Sequence, residues 1–390
     1  MKKAILLLLL IVVCIAVLPT QTAYAEEEVK SEEELLEEQV KTQLDEMDFS
    51  ELNDLVEDDN LDITNESFKG MVDNLINGQS ITDVKTVLGK ILSRMFKEIR
   101  SLIPIIFMIV AIAVLGNIVS SFQPTSNSKT ISDITHFVCV AVVIVLIVSI
   151  INNVYTSTAE CISAMTNQMS ILFPILLTLL TAMGSVVSVG IYQPIVAILT
   201  GGVAVVFKRI VFPIFVLSLI FVILNNLSND IKLNKFISFL SSSFKWIVGF
   251  VFTLFAGFLT IQGISAGKYD TISLKATRFA MKSYVPVVGG YLSEGLDYIM
   301  LSSILIKNAI GVAGLLILLG TILVPIITIL ILKLGLQFVA GIIEPMGNNR
   351  ISNLCEDLSK VLIFPIVVIL AMAFMYVLSV GLIMCTISGV

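Results

Sequence analysis

Few residues of this sequence are spaced for covalent chemistry. Residues 263–267 read Gly-Ile-Ser-Ala-Gly and match G-x-S-x-G, a motif whose glycines allow a strained turn that exposes a nucleophilic serine. A serine nucleophile also needs a base, usually a histidine. The chain has one histidine, His136, with no carboxylate evidently placed beside it to orient it. We therefore interpret the motif as small residues that end a helix, and a catalytic Ser265 as the weaker alternative.

Other catalytic and metal-binding signatures are absent from the sequence. It contains no HExxH, no Walker GxxxxGK[ST] and no GxGxxG, and its His, Cys, Asp and Glu residues do not cluster as a metal site requires. The five cysteines form no CxxC pair and lie in or beside apolar segments, so they do not make a disulfide framework. We expect a protein that is not an enzyme, with no catalytic residues, no cofactor, no metal and no nucleic-acid partner.

The most distinctive stretch is residues 275–297, KATRFAMKSYVPVVGGYLSEGLD. Three cations recur at helical spacing, a proline ends that helix, and two glycines permit a tight turn before a second amphipathic stretch. This pattern predicts a helix–turn–helix hairpin on the inner membrane surface, which contacts either a cytoplasmic partner or anionic lipid. The candidate contact residues are Lys275, Arg278, Lys282, Pro286, Gly289 and Gly290.

Composition indicates the element type that must position these residues. The chain is 56% hydrophobic and 14% charged, against about 45–50% and about 25% in ordinary globular domains. Several apolar stretches reach the roughly 20 residues that cross a hydrocarbon core about 30 Å thick. Backbone groups in lipid must be hydrogen-bonded internally, so the expected fold is an all-α polytopic membrane helical bundle.

The amino-terminal quarter is different in character. Lys2 and Lys3 precede an apolar run at 4–18, and Ala23-Tyr24-Ala25 fits a cleavage site, so residues 1–25 are predicted to be a cleavable signal peptide. An uncleaved first helix is the alternative. From residue 26 to residue 100 there are 21 Asp/Glu against 8 Lys/Arg. Residues 26–83 are therefore predicted to be a small acidic extracytoplasmic region, helical and partly disordered.

Residues 84–100 follow a helical period, with apolar residues on one side and Lys85, Lys90, Arg94, Lys97 and Arg100 on the other. We expect an interfacial amphipathic helix whose apolar side faces the membrane. The alternative is a soluble helix packed on the amino-terminal region.

Residues 101–390 are predicted to form the transmembrane domain. The difficult segment is 194–226, because Lys208-Arg209 lies in its middle and a cation at the bilayer centre costs about 2.5–3.5 kcal/mol. Either 194–207 is a half helix and 210–226 the span, or both cross. The Lys/Arg-rich loop 264–308 is expected in the cytoplasm, which is consistent with about seven crossings and a cytoplasmic carboxyl end. The other predicted spans are 102–122, 134–154, 171–191, 244–263, 309–332 and 361–386.

Glycines and prolines interrupt these spans. Gly311, Gly314 and Gly320, or Gly335 and Gly341, are expected to let helices approach closely. Prolines near Pro194 and Pro213 are typical either of kinked helices in a bundle or of the discontinuous helices of transporters.

The hairpin also carries a family resemblance. Residues 278–290, R-F-A-x-K-x-Y-V-P-V-V-G-G in this sequence, resemble the signature region of the stage III sporulation protein AE family of endospore-forming bacteria. The order of parts is similar as well: signal sequence, acidic extracytoplasmic segment, several spans, this hairpin and two closing spans. The resemblance covers nearly the whole chain from about residue 80.

The resemblance implies a multi-pass protein of the mother-cell membrane around the engulfed forespore, with its amino-terminal region extracytoplasmic. Such a protein would be a subunit of a channel or secretion-like complex that joins the two cells at stage III. Implied partners are other stage III membrane and ring subunits, a secretion-type ATPase and, indirectly, the forespore stage II protein Q. The alternative is a stand-alone small-molecule permease. The acidic region would dock on basic ring subunits or serve as a solvated spacer.

Overall fold

The computed structural model describes residues 30–57, 67–79, 84–121, 128–227, 232–284, 289–346 and 349–386. The described residues are almost entirely helical and contain no strand, which confirms the all-α fold. The predicted signal peptide, 1–25, lies outside them. The helices are α1 (Lys30–Glu46), α2 (Ser50–Glu57), α3 (Phe68–Ile76), α4 (Val84–Ser121), α5 (Ser128–Ala182), α6 (Val186–Leu227), α7 (Asn234–Tyr284), α8 (Gly289–Ile343), α9 (Asn349–Val361) and α10 (Ile363–Cys385).

Helices α1–α3 form a small unit that packs directly on the bundle. Leu52 and Phe68 are buried, and they line one small cavity together with Leu172 of α5 and Gly314 of α8. The Phe68 amide donates to Asn53 Oδ1 at 2.8 Å, which joins α3 to α2. The acidic region is therefore attached to the membrane helices through apolar contacts, and its described part is not a loose spacer.

Helix α4 is continuous for 38 residues and passes through Pro104. The predicted interfacial helix, 84–100, and the predicted span, 102–122, are thus two halves of one helix. Val87 and Ile91 pack against Val324 of α8, whereas Leu92 and Phe96 are exposed.

Helix α5 is continuous for 55 residues and joins the predicted spans 134–154 and 171–191. The polar stretch between them has no glycine or proline before Pro174, so no residue in it interrupts the backbone hydrogen bonds of the helix. The helix ends instead at Gly184, whose φ is +79°. The Ser185 amide donates to Leu180 O at 2.9 Å, and the Gly184 amide donates to Thr181 O at 2.8 Å, as in a Schellman motif.

Helix α6 runs unbroken from Val186 to Leu227, so neither predicted arrangement of 194–226 is present. Two stretches, Ile198–Val203 and Phe207–Val211, are π-helical. The second stretch carries Lys208 and Arg209, which are exposed on the side of the helix. Lys208 Nζ donates to Ser163 Oγ of α5 at 2.8 Å.

The predicted loop 264–308 is mostly helical. Helix α7 runs on to Tyr284 and α8 begins at Gly289, so the two arms of the hairpin continue the long helices instead of forming separate helices on a membrane surface. Gly289 and Gly290 form the first residues of α8 and not the turn itself.

Helices α8 and α10 form the centre of the bundle and are mostly buried, whereas α4, α5, α6 and α7 surround them with exposed apolar side chains. Phe244 of α7 stacks on Phe364 of α10 with ring centroids 4.0 Å apart. Phe173 of α5 meets Tyr376 of α10 edge-on at 5.8 Å. Aromatic contacts thus attach two outer helices to the central pair.

The described residues contain six helical segments long and apolar enough to cross a membrane, one fewer than the seven predicted crossings. Because they run alternately up and down, the start of α6, the end of α10 and Ser303 meet at one end of the bundle, which we call the Lys307 end. At the opposite end, which we call the Asn117 end, Asn117 donates to Met346 O.

Two predictions about which side of the membrane a segment faces conflict in this arrangement. Ser303 belongs to the loop predicted to be cytoplasmic, yet its hydroxyl donates to Gln43 Oε1 of the region predicted to be extracytoplasmic, at 3.4 Å. Both assignments cannot hold. The connections at the Asn117 end carry Lys129, Lys232, Lys235 and Arg350, as many cations as the hairpin's Lys268, Lys275, Arg278 and Lys282. Cation counting therefore no longer decides the orientation.

The glycines of α8 allow a test of close packing. A Cβ at Gly314 would lie 2.6 Å from Leu172 Cδ2, whereas a Cβ at Gly341 has no neighbour within 4 Å. Gly314→Ala should destabilise the protein by about 1–3 kcal/mol through overpacking, and Gly341→Ala should not, because alanine is the better helix former. Thermal unfolding of the detergent-purified variants measures the difference. Equal Tm values would show that the α5–α8 contact is not tight.

The shared end of the acidic unit and the hairpin predicts that both are reached from one side of the membrane. Single cysteines at the exposed positions Glu37 and Lys275, in a chain lacking its native cysteines, should react with an impermeant thiol reagent in the same preparation of sealed vesicles. Labelling of the two positions from opposite sides would contradict the Gln43–Ser303 contact.

Candidate functional site

A buried carboxylate lies at the beginning of α6. Asp270, on α7, is 1% exposed. Its Oδ1 accepts from the Val187 amide at 3.1 Å, and its Oδ2 accepts from the Ser188 amide at 3.0 Å. The first amides of a helix have no partner within the helix, and the helix dipole favours an anion there. Asp270 therefore caps α6 from a neighbouring helix.

A buried cation occupies the complementary position at the end of α10. Lys307, on α8, is fully buried. Its Nζ donates to Met384 O at 3.0 Å and to Thr386 O at 2.7 Å. The last carbonyls of a helix are likewise unpaired and carry the negative end of the dipole. Lys307 therefore holds the carboxyl end of α10 against α8.

One hydroxyl contact links these two helix ends. Tyr192 of α6 and Thr386 lie 2.7 Å apart, Oη to Oγ1. The Thr386 hydroxyl donates to Leu382 O at 3.0 Å, so Tyr192 is the donor in the contact between them. We call Asp270, Tyr192, Lys307 and Thr386 the helix-end cluster. It joins α6, α7, α8 and α10 at the Lys307 end.

The chemistry of the helix-end cluster favours structure over catalysis. It holds one carboxylate, one ammonium, one phenol and one secondary alcohol, and no imidazole or thiol takes part in its hydrogen bonds. Each charge bonds backbone groups of a helix end. Over the described residues, no group of three or more His, Cys, Asp or Glu side chains is placed to hold a metal ion. The cluster can fix four helices relative to one another.

The residues that the sequence singled out lie elsewhere. Lys275 is exposed on α7, and Arg278 and Lys282 lie on the same helix with side chains outside the described part. Pro286 is also outside it, and Gly289 and Gly290 open α8. The structure does not bring these residues into the helix-end cluster, and their contact with a partner or with lipid stays a prediction.

The geometry of the motif does not support the hydrolase alternative. The backbone is helical throughout 263–267, so the strained turn that exposes a nucleophile is absent, and these small residues do not end a helix either. Ser265 lies near Asp270 at the Lys307 end. His136 lies near the start of α5, more than 40 residues of helix from the turn that begins α6, or about 70 Å at 1.5 Å per residue.

Sequence reasoning missed Asp270 and Lys307. Asp270 is the lone acid among the cations of its segment, and Lys307 directly precedes the long apolar run of α8. From their positions in the sequence, both residues look like ordinary charged residues of a solvent-exposed loop. An ionisable residue at the edge of a membrane segment needs a partner. Pairing with a helix end could therefore have been predicted for both residues.

Substitution of Asp270 tests the helix-end cluster. Asp270→Ala leaves the Val187 and Ser188 amides without their acceptor and should destabilise the protein by about 3 kcal/mol, since bonds to charged groups are worth about 1.5–3 kcal/mol each. Asp270→Asn keeps one acceptor and should fall between Ala and wild type. Lys275→Ala, on the same helix but exposed, is the matched control. The measurement is Tm in detergent. A Tm for Asp270→Ala equal to that of the control would refute the capping role.

Comparison with known proteins agrees with the sequence resemblance. The family model described as Stage III sporulation protein AE matches residues 66–388. The Stage III sporulation protein AE of Bacillus subtilis (strain 168) is 25% identical over 314 residues, which are 80% of this chain and 79% of that protein. No solved structure matches this chain. The match includes every helix from α3 to α10, so the chain belongs to the stage III sporulation protein AE family of multi-pass membrane proteins that act in sporulation.

Proposed function

We propose that this chain is a non-enzymatic membrane subunit of a conduit between the mother cell and the engulfed forespore. It would lie in the mother-cell membrane that surrounds the forespore and would be needed for forespore gene activation at stage III. The observation that carries the proposal is the family match over residues 66–388. That match covers the whole helical bundle and not an isolated segment.

The dimensions of the bundle support a role within a larger assembly. Helices α5 and α8 have 55 residues each, about 80 Å at 1.5 Å per residue, whereas the hydrocarbon core is about 30 Å thick. A large part of each helix therefore lies outside one hydrocarbon layer. These projecting parts offer protein surface to other subunits on both sides of the membrane.

The orientation that fits the proposal has the Lys307 end outside the cytoplasm. The predicted signal peptide directs the acidic unit to that side, and the Gln43–Ser303 contact brings the hairpin with it. Exposed carboxylates of α1, such as Glu37 and Glu38, would then meet basic surfaces of ring subunits between the two membranes. The Asn117 end would face the cytoplasm and the secretion-type ATPase. Contact with the forespore stage II protein Q would be indirect.

The structural feature that motivated the permease alternative is absent. It depended on broken spans around Pro194 and Pro213, and α6 is helical through both positions. The two π-helical stretches widen the helix locally without interrupting it. Ordinary kinked helices in a bundle describe this region better.

Deletion of the gene in an endospore-forming host tests the proposal. Engulfment should be completed, a late forespore-specific transcription reporter should stay silent, and heat-resistant spores should be lost. A copy of the gene at another locus should restore all three, and the unmodified strain is the control. Normal spore yield in the deletion strain would overturn the proposed function.

A further inference from the structure

Exposed cations on three helices lie at one height of the bundle. They are Lys97 and Arg100 of α4, Lys208 and Arg209 of α6, and Lys245 of α7, and we call them the cation belt. Trp246, the single tryptophan of the chain, is exposed beside Lys245. Lysine and arginine side chains reach toward lipid headgroups at the edge of a hydrocarbon layer, and tryptophan is enriched there. The belt therefore has the composition of a membrane interface.

Aromatic contacts place the belt cations of α6 and α7 at the same height. Phe221 of α6 and Phe236 of α7 lie with ring centroids 6.0 Å apart. The two helices are antiparallel, so equal steps from this contact reach Lys245 on α7 and Phe212 on α6 together. Phe212 lies within one turn of Lys208.

Helix α5 links the same height to the rest of the bundle. Tyr155 of α5 and Phe212 of α6 lie with ring centroids 5.3 Å apart, and Lys208 Nζ donates to Ser163 Oγ at 2.8 Å. The belt cations of α6 therefore lie beside residues 155–163 of α5.

Helix α4 joins the belt through the central helix α8. Ile91 packs against Val324 of α8, and Thr321, one turn before Val324, accepts from Gln168 Nε2 of α5 at 2.6 Å. Lys97 lies about 9 Å beyond Ile91 toward the Asn117 end. That step brings it to the height of the belt cations on α6.

Between the cation belt and the Asn117 end the outer surface is apolar. The exposed residues described on α4 between 102 and 119, on α5 between 134 and 148 and on α6 between 210 and 224 are all apolar. Helix α7 exposes Phe236 and Phe239 there, together with two serines. This half of the bundle is suited to contact with lipid chains.

The apolar zone has the thickness of a hydrocarbon layer. The rise from Arg100 to Val119 along α4 is about 28 Å at 1.5 Å per residue, against about 30 Å for a hydrocarbon core. Lys232 and Lys235 are exposed at the far edge of the zone. Cations therefore mark both of its edges.

The half between the belt and the Lys307 end is not suited to lipid. Every exposed residue of α5 between 156 and 181 is polar except Pro174. Leu172, roughly 20 Å beyond the belt along α5, lines a cavity with two apolar side chains of the acidic unit. That unit carries exposed charges such as the Lys69–Asp45 ion pair. A hydrocarbon layer about 30 Å thick that began at the belt and extended this way would enclose the acidic unit.

Two of the belt cations border an open apolar hollow on α4. It has a volume of about 520 Å³, and its lining includes Phe96, Ile99 and Ile103 together with Lys97 and Arg100. Ammonium and guanidinium groups bind phosphate oxygens, and the apolar side chains offer contact to the first carbons of an acyl chain. The combination matches a phospholipid better than a free anion.

We propose that the cation belt binds the phosphate groups of anionic phospholipids and marks one edge of the hydrocarbon layer, which surrounds only the Asn117 half of the bundle. Glu160, exposed on α5 at this height, leaves the belt open on that side. The Lys307 half projects from the membrane by about 30 Å, so most of the predicted spans 171–191 and 309–332 lies outside the hydrocarbon.

The apolar side chains exposed on the projecting half are then surfaces for protein contact and not for lipid. Examples are Leu88 and Leu92 of α4 and Ile198 and Val205 of α6. The placement of the membrane depends on the belt and the acidic unit and does not depend on the proposed conduit role.

The single tryptophan provides a depth probe. The purified full chain is reconstituted in vesicles of phosphatidylcholine and phosphatidylglycerol that contain lipid brominated either near the headgroup or deep in the acyl chain, and quenching of tryptophan fluorescence is measured. Trp246 should be quenched at least twofold more strongly by the shallow bromines. Stronger quenching by the deep bromines would contradict its place at the edge of the hydrocarbon.

Two variants move the probe along the exposed side of α7. Trp246→Phe is combined with Phe239→Trp or with Leu254→Trp, and both replaced positions are exposed. The Phe239→Trp chain should be quenched mainly by the deep bromines, and the Leu254→Trp chain by neither set. Quenching of the Leu254→Trp chain by the deep bromines would show that lipid covers the Lys307 half and would overturn the inference.

Headgroup binding is tested with bromine on phosphatidylglycerol or on phosphatidylcholine at equal mole fraction. Trp246 should be quenched at least twofold more strongly by brominated phosphatidylglycerol, and Arg209→Gln with Lys245→Gln should abolish this preference. The matched control, Lys41→Gln with Lys275→Gln, removes the same charge from exposed positions of the Lys307 half and should keep it.

Equal quenching by the two lipids in the unmodified chain, or loss of the preference in both double variants, would refute binding by the belt. These measurements use purified protein and not spore yield. They can therefore fail while the deletion phenotype stands, or succeed while the proposed conduit role fails.

Discussion

The bundle depends on pairing the free backbone groups of two helix ends with buried charged side chains of neighbouring helices. In lipid every backbone polar group must be paired, and within a helix only the first amides and the last carbonyls are not. Here the start of α6 and the end of α10 meet buried charged side chains of neighbouring helices, although Val186, Val187 and Cys385 themselves are exposed. Asp270 bonds the first of these ends and Lys307 the second. An isolated buried ion would cost several kcal/mol. Each charge is therefore stabilised by the backbone groups of a helix end, and those groups gain the hydrogen-bond partner that the helix does not supply.

The placement of α6 follows from this constraint. Gly184, in the left-handed conformation, reverses the chain within three residues, so α6 returns along α5 in one register. That register puts Lys208 beside Ser163. The position of α6 in the bundle is therefore set by a single turn and the carboxylate that holds the helix after it.

Hydropathy predicted the element type well and the element lengths poorly. Apolar stretches of about 20 residues require helices in lipid, and this part of the prediction is confirmed. Hydropathy does not indicate whether a polar stretch interrupts the backbone hydrogen bonds of a helix. Residues 155–170 are polar on one side only, and they stay helical because their other side packs on α8. The same applies beyond residue 263, where α7 continues as a helix past the apolar run.

The candidate site was harder to predict than the close helix contacts, for a physical reason. Glycine is itself the signal for close packing: an added Cβ at Gly311 or Gly314 would lie within 3 Å of a neighbouring side chain, whereas one at Gly341 would have no neighbour within 4 Å. Asp270 and Lys307 bind backbone amides and carbonyls, which every residue has. No residue type elsewhere in the sequence marks their partners, so only the folded chain identifies them.

In the proposed orientation, the position of the acidic unit accounts for a basic hairpin on the outer side of the membrane. The cation rule describes short connections that have no other electrostatic partner. Here α1, with exposed Glu37 and Glu38, lies at the same end of the bundle as Lys275. Opposite charges at one end lower the field that either set would produce alone. In that orientation the cations of the hairpin balance the acidic unit instead of selecting a side.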